Sequence, residues 1–115
     1  MREKDVYKHF RGTLYQYVGV ALGIQSQFKS VRQHHDMKLI GTARHHETLQ
    51  DLNVYECYGI RFIDSLDAHV LYHNPEQNTT WARAVDEFFG YKEHNGQRVK
   101  RFMLLPNNKQ VELMK

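Results

Sequence analysis

Asn95-Gly96 constrains this chain more than any other pair of residues in it. A two-residue hairpin turn needs positive φ at both central positions, which Asn and Gly tolerate and most residues resist. Tyr91 to His94 precedes the pair and Gln97 to Leu105 follows it, so a hairpin is expected over 91–105. That commits the C-terminal part of the chain to antiparallel pairing. A fold built around it has to supply further strands, because an isolated hairpin is marginal in water.

Those strands are legible upstream. Thr13 to Leu22 is rich in β-branched and aromatic residues and is entered through a turn at Arg11-Gly12. Lys38 to His45 reads as a strand, Glu47 to Asp51 as its turn, and Asn53 to Ile63 as the best strand candidate. His69 to Tyr72 is a short one closed by Asn74-Pro75. Gln25 to Asp36 fits a weak helical face through Phe28 and Val31 and a polar strand equally well. One short helix is expected over Trp81 to Phe89, where Ala82, Val85 and Phe89 recur at helical spacing between Thr79-Thr80 and Gly90. No βαβ alternation is present, which argues against a parallel nucleotide-binding sheet. The expected fold is mainly β (α+β): a small twisted antiparallel sheet or open β-barrel with one or two short helices. At 115 residues it forms a single domain, 1–115.

Composition narrows the setting. No apolar run is long enough to span a bilayer, the polar N-terminus lacks a signal-peptide core, and the single Cys57 cannot form an internal disulfide. The expectation is a cytoplasmic protein. A net charge of +3 is a mild bias toward anionic partners.

Three stretches resemble a small bacterial and phage family of unknown function, the DUF family numbered sixteen fifty-three. They are Tyr7 to Tyr15 (YKHFRGTLY), Ile40 to Leu49 (IGTARHHETL) followed by Val54-Tyr55, and Trp81-Ala82-Arg83 with Phe88-Phe89 and Gly96 to Phe102 (GQRVKRF). Two enlargements depart from that pattern, Val20 to Leu39 and Ile60 to Thr80, and Ala84 stands where family members often carry proline. The resemblance implies a core β-fold, and it leaves the two enlargements as places where a specific function would sit.

Candidate binding residues follow from side-chain chemistry. Trp81 and Arg83 share a face if extended, pairing an aromatic platform with a guanidinium. The alternative makes Trp81 a core anchor and pairs Arg83 with Asp86 or Glu87. Arg44, with His45, enters a turn and suits an anion, set against a salt bridge to Glu47 or Asp51. Arg98 and Arg101 lie on the basic closing hairpin, where charge also protects an exposed edge. No metal site is expected despite eight histidines, because no carboxylate or cysteine completes a recognisable ligand frame. No cofactor is expected and no catalytic set is legible. Cys57, inside an apolar strand, reads as an inert thiol. The leading expectation is a non-catalytic module for a small anionic nucleotide-like ligand, as a homo-oligomer. One version is a phage anti-defence sponge for an immune signalling nucleotide, of Thoeris or CBASS type. Single-stranded nucleic-acid binding and a protein-interaction subunit are the alternatives.

Overall fold

The computed structural model describes residues 5–24 and 37–106. It is mostly β. The strands are β1 (Val6–His9), β2 (Leu14–Gly23), β3 (Lys38–His45), β4 (Asp51–Cys57), β5 (Ile60–Ile63), β6 (His69–Asn74) and β7 (Thr79–Ala84). The one-turn helix α1 (Val85–Phe88) follows, then β8 (Tyr91–His94), β9 (Gln97–Lys100) and β10 (Phe102–Leu104).

Six strands close a ring. The order β2-β5-β4-β3-β7-β6 returns to β2 through the β2–β6 pairing, while β1 and β10 extend from β2 outside it. The ring is mixed rather than purely antiparallel: β2 pairs β5 in parallel, and so does β3 with β7. Its interior explains the small residues. Ala21, Ala43, Val54, Ile63, Leu71 and Ala82 form one buried cluster, with one side chain from each ring strand. A ring of six strands encloses less space than the eight that side chains fill comfortably, so alanine is accommodated at three of these positions. Gly19 sits at a bulge in β2, with φ +154°. A Cβ there would stand 2.6 Å from Nη1 of Arg61.

A second core lies on the outer face of β2 and β6. Tyr7, Tyr17, Val70, Tyr72, Phe88 and Phe102 are buried together, with Tyr15, Trp81 and Phe89 packed against them. Phe88 and Phe102 stack at 4.2 Å. The helix therefore exists to insert Phe88, since a four-residue helix has little stability of its own.

The differences from expectation have local causes. Asn53–Ile63 is two strands, not one, because Tyr58 (φ 51°) and Gly59 (φ 80°) make a tight turn between β4 and β5. Tyrosine is an uncommon residue for positive φ, so its sequence signal is weak. The helix starts at Val85, not Trp81: Thr79–Ala84 is strand, paired along its whole length with β6. Alternation wins there over the helical spacing, with Ala82 facing the ring interior and Trp81 and Arg83 the other side. Ala84 caps the helix with φ −53°, close to the value a proline ring imposes. The closing hairpin turns at Asn95 (φ 54°) and Gly96 (φ 76°) as expected, but its second arm divides at Arg101, where β10 leaves to join β1. The segment Gln25 to Asp36, with His34 and His35, lies outside the described residues. Cys57 is half-buried rather than enclosed. No helix among the described residues is long and apolar enough to cross a membrane.

Candidate functional site

The sheet extension, with residues from β7, β8 and the β3–β4 turn, builds a cleft of about 470 Å³ on the second core. One wall is the β1–β2 turn, which supplies His9, Phe10, Arg11 and Thr13, with Tyr15 from β2 behind it. That turn is held by backbone bonds from His9 N to Thr13 O (2.8 Å) and from Gly12 N to His9 O (2.7 Å). Phe10 N also donates to Arg101 O (2.9 Å), which fastens the turn to the β9–β10 junction. Arg83 enters from β7, Lys92 from β8, Arg101 and Phe102 from that junction, and His46 from the β3–β4 turn.

The charges are arranged one-sidedly. Arg11, Arg83, Lys92 and Arg101 line the cleft together with two imidazoles; among the described residues no carboxylate lines it, although Glu47 and Glu87 stand behind His46. Two of the guanidinium groups are anchored at the inner nitrogen. Arg83 Nε donates to the hydroxyl of Tyr72 (3.2 Å), and its plane lies over Phe102, 5.4 Å from the ring centre. Arg101 Nε donates to Glu87 O (3.1 Å). Tethered at Nε, each guanidinium has less rotamer freedom to lose on gripping an oxyanion than an untethered arginine would. Arg11 lies 5.4 Å above the Phe10 ring.

The histidines register this field. Partial burial, then Arg83, Arg11 and Arg101, push the His9 pKa down to about 4. A neutral ring agrees with its geometry, since His9 Nδ1 accepts the Arg11 N–H (3.2 Å). His46 is lowered too, by burial first and then by Arg83, against the opposing pull of Glu87 and Glu47. Its Nε2 lies 3.1 Å from Glu87 and 3.5 Å from Glu47, and its buried Nδ1 has no partner among the described residues. These three side chains are the group that could hold a cation, with ligand atoms within 4.8 Å of one another. Both carboxylates are substantially exposed, and Arg83 opposes a further positive charge there.

Of the residues expected from sequence, the structure brings Arg83 and Arg101 together and places four others elsewhere. Arg44 pairs with Asp51 at 3.2 Å on the exposed face of the β3–β4 hairpin. His45 accepts the backbone N–H groups of Glu47 and Thr48 at Nδ1, which makes it a turn residue. Trp81 packs against the aromatic core, and its indole N–H is buried without a partner among the described residues. It does share a face with Arg83, but the ring beneath Arg83 is Phe102. Arg98 lies over Tyr91 at 4.5 Å within the hairpin. His69 and His73 are bound to Asp67 O (2.8 Å) and Thr80 (3.0 Å).

Sequence reasoning missed His9, Phe10, Arg11, Thr13, Tyr15 and Phe102. A signal for most of them was present. Every lining residue except Lys92 falls in one of the three stretches read as resembling the family and none in the two enlargements, but His9, Phe10, Arg11, Thr13 and Tyr15 precede residue 33, where the match to the family model begins. The described parts of those enlargements build β5, β6 and the ends of the ring strands beside them. No curated protein and no solved structure matches the chain. The model of DUF1653, a protein family of unknown function, matches residues 33–104, well over half of the sequence, and the chain belongs to that family.

Proposed function

We propose that this protein binds a small, multiply anionic, nucleotide-like ligand in the cleft and releases it unchanged. The observation that carries the reading is the pair Arg83 and Arg101, each tethered through Nε in a cleft that no carboxylate among the described residues lines. A site so preorganised loses less entropy on binding than free surface arginines do. Phe10 and Tyr15 bring aromatic surface to the wall beside the cations, the combination that suits a phosphorylated heterocycle over a bare carboxylate. A chain lacking the Arg83 fork forfeits a charge-assisted contact of about 1.5–3 kcal/mol, or roughly 10- to 150-fold in affinity.

The narrower version is a phage-borne sponge that sequesters an immune signalling nucleotide between subunits. It draws on the family resemblance rather than on the cleft. One experiment addresses both: a thermal-shift panel of pyrophosphate, nucleotides, cyclic di- and trinucleotides, cyclic ADP-ribose isomers and a short single strand. Saturation at a hundred times the dissociation constant adds about 2.7 kcal/mol, a readily measured shift for a domain this size. Stabilisation by a nucleotide, with the compound recovered intact on heating, supports a binder, and a converted compound refutes it. Stabilisation by the single strand alone moves the assignment to nucleic acid. Light scattering with and without the ligand tests the oligomer.

A further inference from the structure

The β8–β9 hairpin carries one of the cleft's cations, Lys92, yet is loosely held by the rest of the molecule. Its two strands form a sheet of their own, paired with no other strand among the described residues. Every residue from Tyr91 to Lys100 is exposed except Val99, which is half-buried. A segment with so little buried apolar surface sits at the low end of local stability, from which lids are drawn. A recess of about 260 Å³ lies beneath it, with Lys8 and Met103 from β1 and β10 on one side and His94, Val99 and Lys100 on the other. The Phe10 and His94 rings, edge-on at 5.3 Å, link the hairpin tip to the β1–β2 turn.

The base of the hairpin is tied more firmly. Arg101 N donates to Gly90 O at 3.0 Å and closes its mouth. The same Arg101 is fixed to the body through its carbonyl, which accepts from Phe10 N, and through Nε on Glu87 O. Cross-strand register decides which way the hairpin's charges face. Lys92 stands opposite Val99, and His94 lies two residues along on the same face. That face is turned to the body, since Lys92 lines the cleft and His94 meets Phe10. Glu93 and Arg98 pair on the other face, so the carboxylate next in sequence is directed away from Lys92. Among the described residues Lys92 makes no ion pair.

We propose that Lys92 is a further ligand-binding residue, carried on a lid: the β8–β9 hairpin, hinged at Gly90 and Arg101, closes over an anion already held by Arg83 and Arg101. This rests on the cleft reading above and adds to it the step that retains the ligand. An anion in the cleft attracts a cation that has no other partner, and a hairpin with so little packing costs little to move. Arg101 joins the hinge to the grip, because its backbone closes the hairpin and its side chain lines the cleft. Closing orders the hairpin tip, and reopening sets the rate of release.

The test titrates pyrophosphate and a set of nucleoside 5′-diphosphates into wild type, Lys92→Met and Lys100→Met by calorimetry. The two variants remove the same charge from the same hairpin, but Lys100, paired with Tyr91, lines the recess and not the cleft. Both positions are exposed, so both variants are expected to fold. Lys92→Met should weaken the anions about fivefold and Lys100→Met by less than about twofold. The second readout is the backbone order parameters of Glu93 to Arg98. They should rise toward those of the ring strands when pyrophosphate saturates the wild type, and stay low when it saturates Lys92→Met. Equal losses in the two variants, or tip amides whose order is unchanged by bound pyrophosphate, would overturn the lid and leave the arginine cleft standing. If neither pyrophosphate nor any nucleoside diphosphate binds the wild type, both readings fall together.

Discussion

His9 gives the most quantitative handle on the cleft. Its ring is pulled from 6.5 to about 4 by partial burial and by Arg83, Arg11 and Arg101. Taken whole, that difference corresponds to about 3.4 kcal/mol. The imidazole faces an open cleft and is half-exposed, so solvent screening leaves on the order of 1 kcal/mol. The unfolded chain takes up this proton near 6.5 and the folded chain only near 4. The stability His9 contributes is thus complete above pH 6.5 and is lost as pH falls toward 4. His46, lowered for the same first reason, acts in the same direction. Urea unfolding of the wild type and of His9→Gln at pH 7.5 and pH 4.5 reads the effect. The wild type should lose about 1 kcal/mol more than the variant between the two conditions, and saturating pyrophosphate should shrink the gap by neutralising the arginines. An NMR titration placing the His9 pKa at or above 6.5, or equal acid losses in the two proteins, would refute the lowering by burial and the neighbouring arginines together.

Three further outcomes are expected. Phe88→Ala empties a fully buried site stacked on Phe102 and should cost about 3–5 kcal/mol, seen as a fall in Tm of at least about 10 °C. Gly23→Ala puts a Cβ 2.3 Å from Leu66 O, a backbone clash that cannot be relieved by a rotamer change. It should destabilise by about 1–3 kcal/mol in urea unfolding, whereas Gly59→Asn, in an open turn, should change it by well under 1 kcal/mol. Zinc added at modest excess, or EDTA, should leave the melting temperature unchanged, because Arg83 opposes a cation at His46, Glu47 and Glu87. A zinc-dependent rise that Glu87→Gln abolishes would contradict that.

The strands were legible wherever local chemistry and tertiary context agreed. Lys38–His45 was read with its final bounds, and Asn95-Gly96 turns as its residue types demand. What failed did so where long-range pairing decides. Nothing local in Trp81-Ala82-Arg83 tells a helix from a strand, yet pairing with β6 fixes the strand. The ring closure itself depends on β2 being long enough to pair β1 and β5 along one edge and β6 along the other. The site was half-legible for the same reason. Arg83 and Arg101 stand out as basic residues near aromatics, but their distinction from Arg44 and Arg98 lies in partners that only the fold supplies: Tyr72 and the Glu87 carbonyl against Asp51 and Tyr91. His9 to Arg11 reads as an ordinary turn, and its place in the cleft wall comes from being fastened to Arg101.

Calorimetric titration of pyrophosphate and the nucleoside diphosphates into wild type, Arg83→Lys, Arg101→Lys and Arg44→Ala tests the central claim most directly. One site per chain is expected, weakened about tenfold or more by either lysine variant, which keeps the charge and loses the fork. Arg44→Ala should bind as the wild type does, since Arg44 is committed to Asp51 away from the cleft. Loss of binding in Arg44→Ala with both lysine variants intact would place the ligand elsewhere and contradict the account.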